Sequence, residues 1–424
     1  MDYKTHFQSL ISVIHYRWLL LCTLLGLMSG SAAALFLLAL DWVGQTQQQH
    51  FWLIALLPFA GWLIGWGYFR YGKAANTGSE LLFEAYSRPA SIIPLRTAPL
   101  VFLGTLLTHL GGGSAGREGT AVQMSTALAD QLNRWFKLSK TDRQLLLLCG
   151  ISGGFAAVFG TPWAGAIFAL EVLALKKMRY DAILPVLATA WLAHGVCLLW
   201  SVQHSSYSAG SLPDWQFSTP FWVISLGLAS GLCALLFVRT THFFRKTFAL
   251  IPYPPYRPLL GGLILALLFL IPGSLRYAGL GLSIIAAAFT EKLLPWDFLL
   301  KLLFTAFTLG AAFKGGEVTP LFFMGAALGN VLSLFIPLPM ALLAALGFVA
   351  VFAGATNTPI ACWIMGMELF GWEYGLLLGL ACWAAFLASG HRSIYGNQPL
   401  SPVRRYIRHR YLLKSRAKQK GAYL

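Results

Sequence analysis

Charge is scarce in this chain of 424 residues. Only 11% of it is Asp, Glu, Lys or Arg, and the acids number 15. Soluble domains carry about 25% charged residues, so a water-soluble globular protein is excluded. Paired cysteines are also missing. The six cysteines (Cys22, Cys149, Cys197, Cys233, Cys362 and Cys382) are scattered through apolar runs with no C-x-x-C among them. They read as small buried hydrophobes that need neither a disulfide nor a metal. No His-Glu-x-x-His, no paired ligand spacing and no nucleophilic triad occurs, so the sequence offers no sign of an enzyme and calls for no cofactor and no metal.

What is present is apolar. Hydrophobic residues make up 57% of the chain, and the mean hydropathy is +0.66. Apolar runs fill most of the stretch from Trp18 to Ala388, yet many fall short of the ~20 residues of a simple span and are cut by Gly or Pro. The expected fold class is therefore an all-α polytopic membrane protein of short, tilted and broken helices. Broken helices are tolerated at membrane depth where they are buried in protein or line a cavity, which points to a transporter or channel with a midplane site.

The excess positive charge, +16 overall, is densest after Ser401, where Arg404, Arg405, Arg408, Arg410, Lys414, Arg416, Lys418 and Lys420 occur with no acid. A basic tail just after a membrane helix places that end in the cytoplasm, and nucleic acid is not the expected partner. Lys4, His15 and Arg17 put the N-terminus on the same side. The organisation read from these signals is a lead-in helix over 1–17, a first half over 18–201, a polar joint over 202–220, a second half over 221–396, and a basic tail over 397–424. The two halves repeat. Phe155, Ala156, Thr161, Pro162, Ala164, Ile167 and Glu171 match Phe352, Ala353, Thr358, Pro359, Ala361, Ile364 and Glu368 at one constant offset. A nearly equal offset lays Gly116–Thr120 on Gly316–Pro320. Interrupted segments at matching places in two halves mark a central binding site.

The candidate site centres on Gly111–Thr120, five glycines with Arg117 and Glu118 between apolar runs. A charge pair there is a functional-site hypothesis by default. A helix starting near Thr120 would offer free N–H groups to an anion. The Glu118 carboxylate would compete with that anion, and protonating Glu118 would release the N–H groups. Pro162 and Pro359 suit the first position of a helix, with Thr161 and Thr358 as hydroxyl caps. With Thr120 and Pro320, four half-helices would aim their positive ends at one anion. Glu171 and Glu368 take equivalent helix positions and are expected to face a vestibule or to pair with a base.

These residues resemble the CLC family of chloride channels and anion/proton exchangers. The likeness rests on Gly116-Arg117-Glu118-Gly119, on Gly316 to Pro320, on the Thr-Pro helix starts and on Ser393 to Gly396, and it covers about residues 18–398. It implies a homodimer in the plasma membrane, each subunit holding its own pore between inverted halves. It also implies that Glu118 is the gating and proton-carrying acid and that Tyr395 coordinates the anion. Cytoplasmic nucleotide-binding domains are not expected after Tyr395. Thr120 stands where chloride members usually have proline, Val318 where they have phenylalanine, and Val172 where exchangers often have a second glutamate. In place of Gly-Ser-Gly-Ile-Pro the chain has Asn76 to Ser79. The combination resembles the fluoride/proton branch, CLC-F. The anion would then meet Gly116, Arg117, Gly119, Val318, Thr319, Tyr395, Gly78 and Ser79, with Glu317 as a coupling group. Small, tightly hydrated fluoride needs strong donors, which Thr319, Tyr395 and helix-end N–H groups can supply. The expected substrates are fluoride, chloride as the alternative, and protons.

Overall fold

The computed structural model describes residues 3–72, 78, 80–88, 91–173, 179–396 and 398, with side chains from residue 16 onward. The described residues form sixteen α-helices: α1 (Tyr3–Gln49), α2 (Leu57–Tyr71), α3 (Glu80–Ser87), α4 (Thr97–Leu110), α5 (Glu118–Phe136), α6 (Lys140–Phe159), α7 (Pro162–Val172), α8 (Ile183–Leu199), α9 (Thr219–Ala249), α10 (Tyr256–Leu268), α11 (Leu282–Ala287), α12 (Asp297–Gly310), α13 (Val318–Leu332), α14 (Met340–Thr356), α15 (Pro359–Phe370) and α16 (Gly375–Ala388). The lead-in is not a separate element. Helix α1 runs unbroken through residue 17, because neither Gly nor Pro occurs before Gly26 to interrupt it.

Five helical stretches are long and apolar enough to cross a membrane, and α4, α7, α10 and α13 to α15 are shorter apolar helices. The short ones end where the sequence forces them to. Gly160 (φ 75°) closes α6 in the left-handed conformation, and Thr161-Pro162 starts α7. Asn357 (φ 61°) closes α14 in the same way, and Thr358-Pro359 starts α15. Proline at the first position forfeits no hydrogen bond, since that N–H has no acceptor within the helix.

Helices α13 and α14 cross in close contact because Gly325 and Gly347 face each other there. A Cβ on either would collide with the other's carbonyl. Small residues at such crossings gain dispersion contacts where the lipid supplies no hydrophobic drive. A buried ion pair fastens the stretch between α3 and α4. Arg143 on α6 donates to both carboxylate oxygens of Asp130 on α5 (2.6 and 2.9 Å), Asp130 accepts the Ile93 N–H (2.7 Å), and Arg143 also reaches the Ser91 carbonyl (2.7 Å).

The described basic residues Arg245, Arg257 and Lys314 gather around one cavity.

Candidate functional site

The site forms where α5 and α13 begin. Gly116 and Gly316, just before the two helices, exchange both backbone hydrogen bonds in a single antiparallel bridge, at 2.6 and 2.7 Å. Only glycine fits. A Cβ on Gly116 would stand 2.9 Å from the Gly316 carbonyl oxygen and from Pro320 Cδ, and one on Gly316 would stand 2.8 Å from the Gly119 nitrogen. The bridge therefore sets two positive helix ends side by side.

Helix α5 starts at Glu118, two residues before the expected Thr120, and α13 starts at Val318 rather than Pro320. The early start puts the Glu118 carboxylate in the first turn, where the helix dipole favours negative charge. The carboxylate is 2% exposed. It accepts hydrogen bonds from the Thr319 N–H (3.1 Å), the Thr319 hydroxyl and the Arg117 N–H (3.1 Å). The Arg117 guanidinium Nε lies 3.8 Å away. Thr120 is turned elsewhere, its hydroxyl 2.7 Å from that of Thr105.

Glu118 separates two small spaces of about 30 Å³ each. One is lined also by Arg117, Thr319, Tyr207 and Phe322. The other is lined also by Gly119, Val318, Glu317 and Tyr395, together with Phe83, Phe155 and Phe168. Beyond Glu317 and Tyr395 a wider cavity of about 290 Å³ is lined also by Gly78, Glu80, Arg245, Arg257 and Lys314. Tyr395 and Glu317 border both the small space and the wide one. The Tyr395 ring packs against Phe83 and Phe168, with centroids at 5.7 and 6.5 Å.

Of the residues singled out in the sequence, Gly116, Arg117, Glu118, Gly119, Glu317, Val318, Thr319 and Tyr395 come together here. Gly78, in a left-handed turn (φ 58°), lines the wide cavity and not the small one. Ser79 lies outside the described residues.

Two of the four expected half-helix ends are not open to an anion. Glu171 of α7 accepts the Ile360 and Ala361 N–H groups at the start of α15 (3.2 and 2.8 Å). Glu368 of α15 accepts the Trp163 and Ala164 N–H groups at the start of α7 (3.0 and 2.7 Å). Each repeat thus caps the other's helix, and neither acid forms an ion pair with a described base. The threonines before these helices do not act as side-chain caps. The Thr358 hydroxyl instead meets that of Thr356 at 2.7 Å. A carboxylate with two suitably spaced N–H groups outcompetes a neutral hydroxyl.

A family model described as "Voltage gated chloride channel" matches residues 60–390. The chain belongs to this family. It is 47% identical over 392 residues to a protein of Pseudomonas syringae pv. tomato named chloride/fluoride channel protein, covering 90% of this chain and 86% of that one. It is 28% identical to the voltage-gated ClC-type chloride channel ClcB of Escherichia coli, over 90% of this chain and 98% of that one. Among solved structures, a CLC-type fluoride/proton antiporter superposes with a TM-score of 0.88 at 35% identity, over 91% of this chain and 98% of that one. A slow cyanobacterial Cl−/H+ antiporter superposes with a TM-score of 0.78 at 20% identity, over 89% of this chain and 96% of that one, which speaks to the fold alone.

As a member of the CLC family, the chain is a multi-pass membrane protein that carries anions. Three rings at its centre escaped sequence reasoning: Phe83, Phe155 and Phe168 around the small space that Tyr395 and Glu317 also line. Nothing distinguishes them from core phenylalanines in the sequence. Only the helix packing gathers them around a shared space.

Proposed function

We propose that this protein exports fluoride in exchange for protons, with Glu118 as the gate and proton carrier. The observation that carries this reading is the seat of Glu118. Its carboxylate holds the N–H and hydroxyl of Thr319 at the paired starts of α5 and α13. An anion entering that seat needs the same donors, so the carboxylate and the anion exclude each other. A proton on Glu118 weakens its hold on the donors and frees them. Anion entry and proton uptake are thereby linked through one seat.

Fluoride is the preferred anion in this reading. It demands compact donors in place of tightly bound water, and the seat supplies a hydroxyl and helix-end N–H groups. Tyr395, Val318 and Gly119 border its inner side and Arg117 its outer side, Gly116 bridges to Gly316 just before the two helix starts, and Glu317 takes protons or hydrogen bonds at the inner end. The names of the 47% identical relative and the 35% identical structure support the same choice. The protein is placed in the plasma membrane as a homodimer. Both termini are placed in the cytoplasm, since the basic tail and Lys4 and Arg17 flank membrane helices and follow the positive-inside rule.

The test is ion efflux from proteoliposomes loaded with fluoride or chloride, with proton uptake followed at the same time. Fluoride efflux that drives proton uptake, with little chloride efflux, is expected. Equal fluxes of the two ions with proton coupling would assign a chloride/proton exchanger, and flux of either without proton movement would assign a passive channel.

A further inference from the structure

An apolar groove of about 560 Å³ opens between α10 and α12. It shares no lining residue with the spaces around Glu118. Along α12 its wall is Trp296, Leu300, Leu303, Phe304 and Phe307. Steps of three and four residues put these side chains on one face of the helix. The 11 residue steps from Trp296 to Phe307 span about 16 Å at 1.5 Å each. One leaflet of a bilayer is nearly the same depth, about 15 Å of a ~30 Å hydrocarbon core. Leu265 and Leu268 of α10 and then Ile271 form the facing wall. Phe244 of α9 closes one end, its ring centroid 5.1 Å from that of Phe307.

The other end is polar. Ser274, Arg276 and Tyr277 stand there, beside Trp296. Two of the three are already satisfied: the Ser274 hydroxyl donates to the Ile271 carbonyl and the Tyr277 hydroxyl to Asp297, both at 2.6 Å. Arg276 is only partly used. Its Nη2 donates to Asp297 at 2.8 Å and its Nε is buried, yet the side chain is 32% exposed. Its Nη1 is not among the buried nitrogens and has no partner among the described residues. Asp297 divides its carboxylate among Arg276, the Tyr277 hydroxyl and the Leu294 N–H, so it fixes the guanidinium in place. Trp296 is exposed at this end, and tryptophan settles where hydrocarbon meets water.

Water finds no partners along such walls, and an empty groove would leave its lining atoms without dispersion contacts. Ile271 and Leu303 are exposed at its edge and open it to the surrounding lipid. We propose that the groove is a phospholipid site. One acyl chain lies along α12 from Trp296 to Phe307, and the phosphate accepts hydrogen bonds from Arg276 Nη1. A cation–phosphate hydrogen bond is among the strong ones. A smooth lipid-facing helix has neither the closed end nor the cation, so this lipid is held where its neighbours exchange. The site does not rest on the transport reading.

The test is native mass spectrometry of the full chain, purified in detergent and supplied with phosphatidylglycerol. One phospholipid per polypeptide should remain after washing that strips the rest. Leu303→Trp fills the groove and should remove it. Arg276→Gln leaves the groove open and deletes the charge, and it should lower occupancy about tenfold or more. Leu303 is exposed, so Leu303→Trp keeps the test sound if Arg276→Gln fails to fold. No retained phospholipid in the wild-type protein, or equal retention in Leu303→Trp, overturns the site. Equal retention in Arg276→Gln overturns the phosphate contact. A density map of the wild-type protein in phosphatidylglycerol nanodiscs should show an acyl chain between α10 and α12, and side chains of a second copy there would overturn the proposal.

Discussion

Thr319 holds Glu118 twice, through its backbone N–H at 3.1 Å and through its hydroxyl. The two residues belong to different repeats, and the bridge between Gly116 and Gly316 brings them together. A carboxylate seated across the repeat boundary stands between the two small spaces it lines, and under the proposed mechanism it closes them to each other. Glu118→Gln keeps the size of the side chain and removes both the charge and the titration. Proton uptake driven by an anion gradient should disappear in proteoliposomes carrying this variant. Proton transport at the wild-type rate would remove Glu118 from the coupling step.

The same bridge predicts a severe steric effect. A methyl group on Gly316 would stand 2.8 Å from the Gly119 nitrogen and 3.0 Å from that of Glu118, all of it backbone that cannot step aside. Relief requires separating the starts of α5 and α13. Gly316→Ala should therefore abolish anion flux, even if the protein is still extracted and purified as a folded species. Wild-type flux in this variant would mean that the pairing of the two helix starts is dispensable.

The helix starts at Pro162 and Pro359 were legible because proline's fixed φ and missing N–H allow little else after a left-handed turn. The grouping of Glu118, Thr319 and Tyr395 was legible from the repeat and from the family likeness. The partners of Glu171 and Glu368 were not. Their N–H groups lie far along the chain, and only the antiparallel meeting of α7 with α15 joins them. Nor could spacing show that α5 begins at its own acid. That start is fixed by the Gly116–Gly316 bridge, a tertiary contact.

The exchanged caps give a stability prediction. Replacing Glu171 by Ala leaves the N–H groups of Ile360 and Ala361 without an acceptor at a part-buried helix start. The cost should be about 1–3 kcal/mol. Glu171→Gln retains one acceptor oxygen and should cost less. Glu368→Ala should act likewise on α7 through Trp163 and Ala164. Thermal unfolding in detergent reads these effects. If Glu171→Ala melts with wild-type protein, water replaces the cap at no cost and the exchange is not a fastening.

In the proposed mechanism, selectivity rests on the Thr319 hydroxyl. In the seated state it donates to Glu118, and an anion that displaces the carboxylate inherits this donor. A hydrogen bond to a charged partner contributes roughly 1.5–3 kcal/mol, or about tenfold or more in affinity. The gain is largest for the ion whose charge is most concentrated, because that ion gives up the most hydration on entry. Thr319→Val preserves the shape, keeps the backbone N–H and deletes the donor. Fluoride efflux should fall about tenfold while chloride efflux, small to begin with, changes less, so the ratio of the two narrows. The valine also leaves Glu118 with one fewer donor, so the gate should open at a lower anion concentration. Efflux measured across a range of fluoride concentrations separates the two effects, since weaker anion binding raises the half-saturating concentration and a looser gate lowers it. A flux ratio unchanged by Thr319→Val would move the source of selectivity to Phe83, Phe155, Phe168 and Tyr395, which line one small space with Glu118.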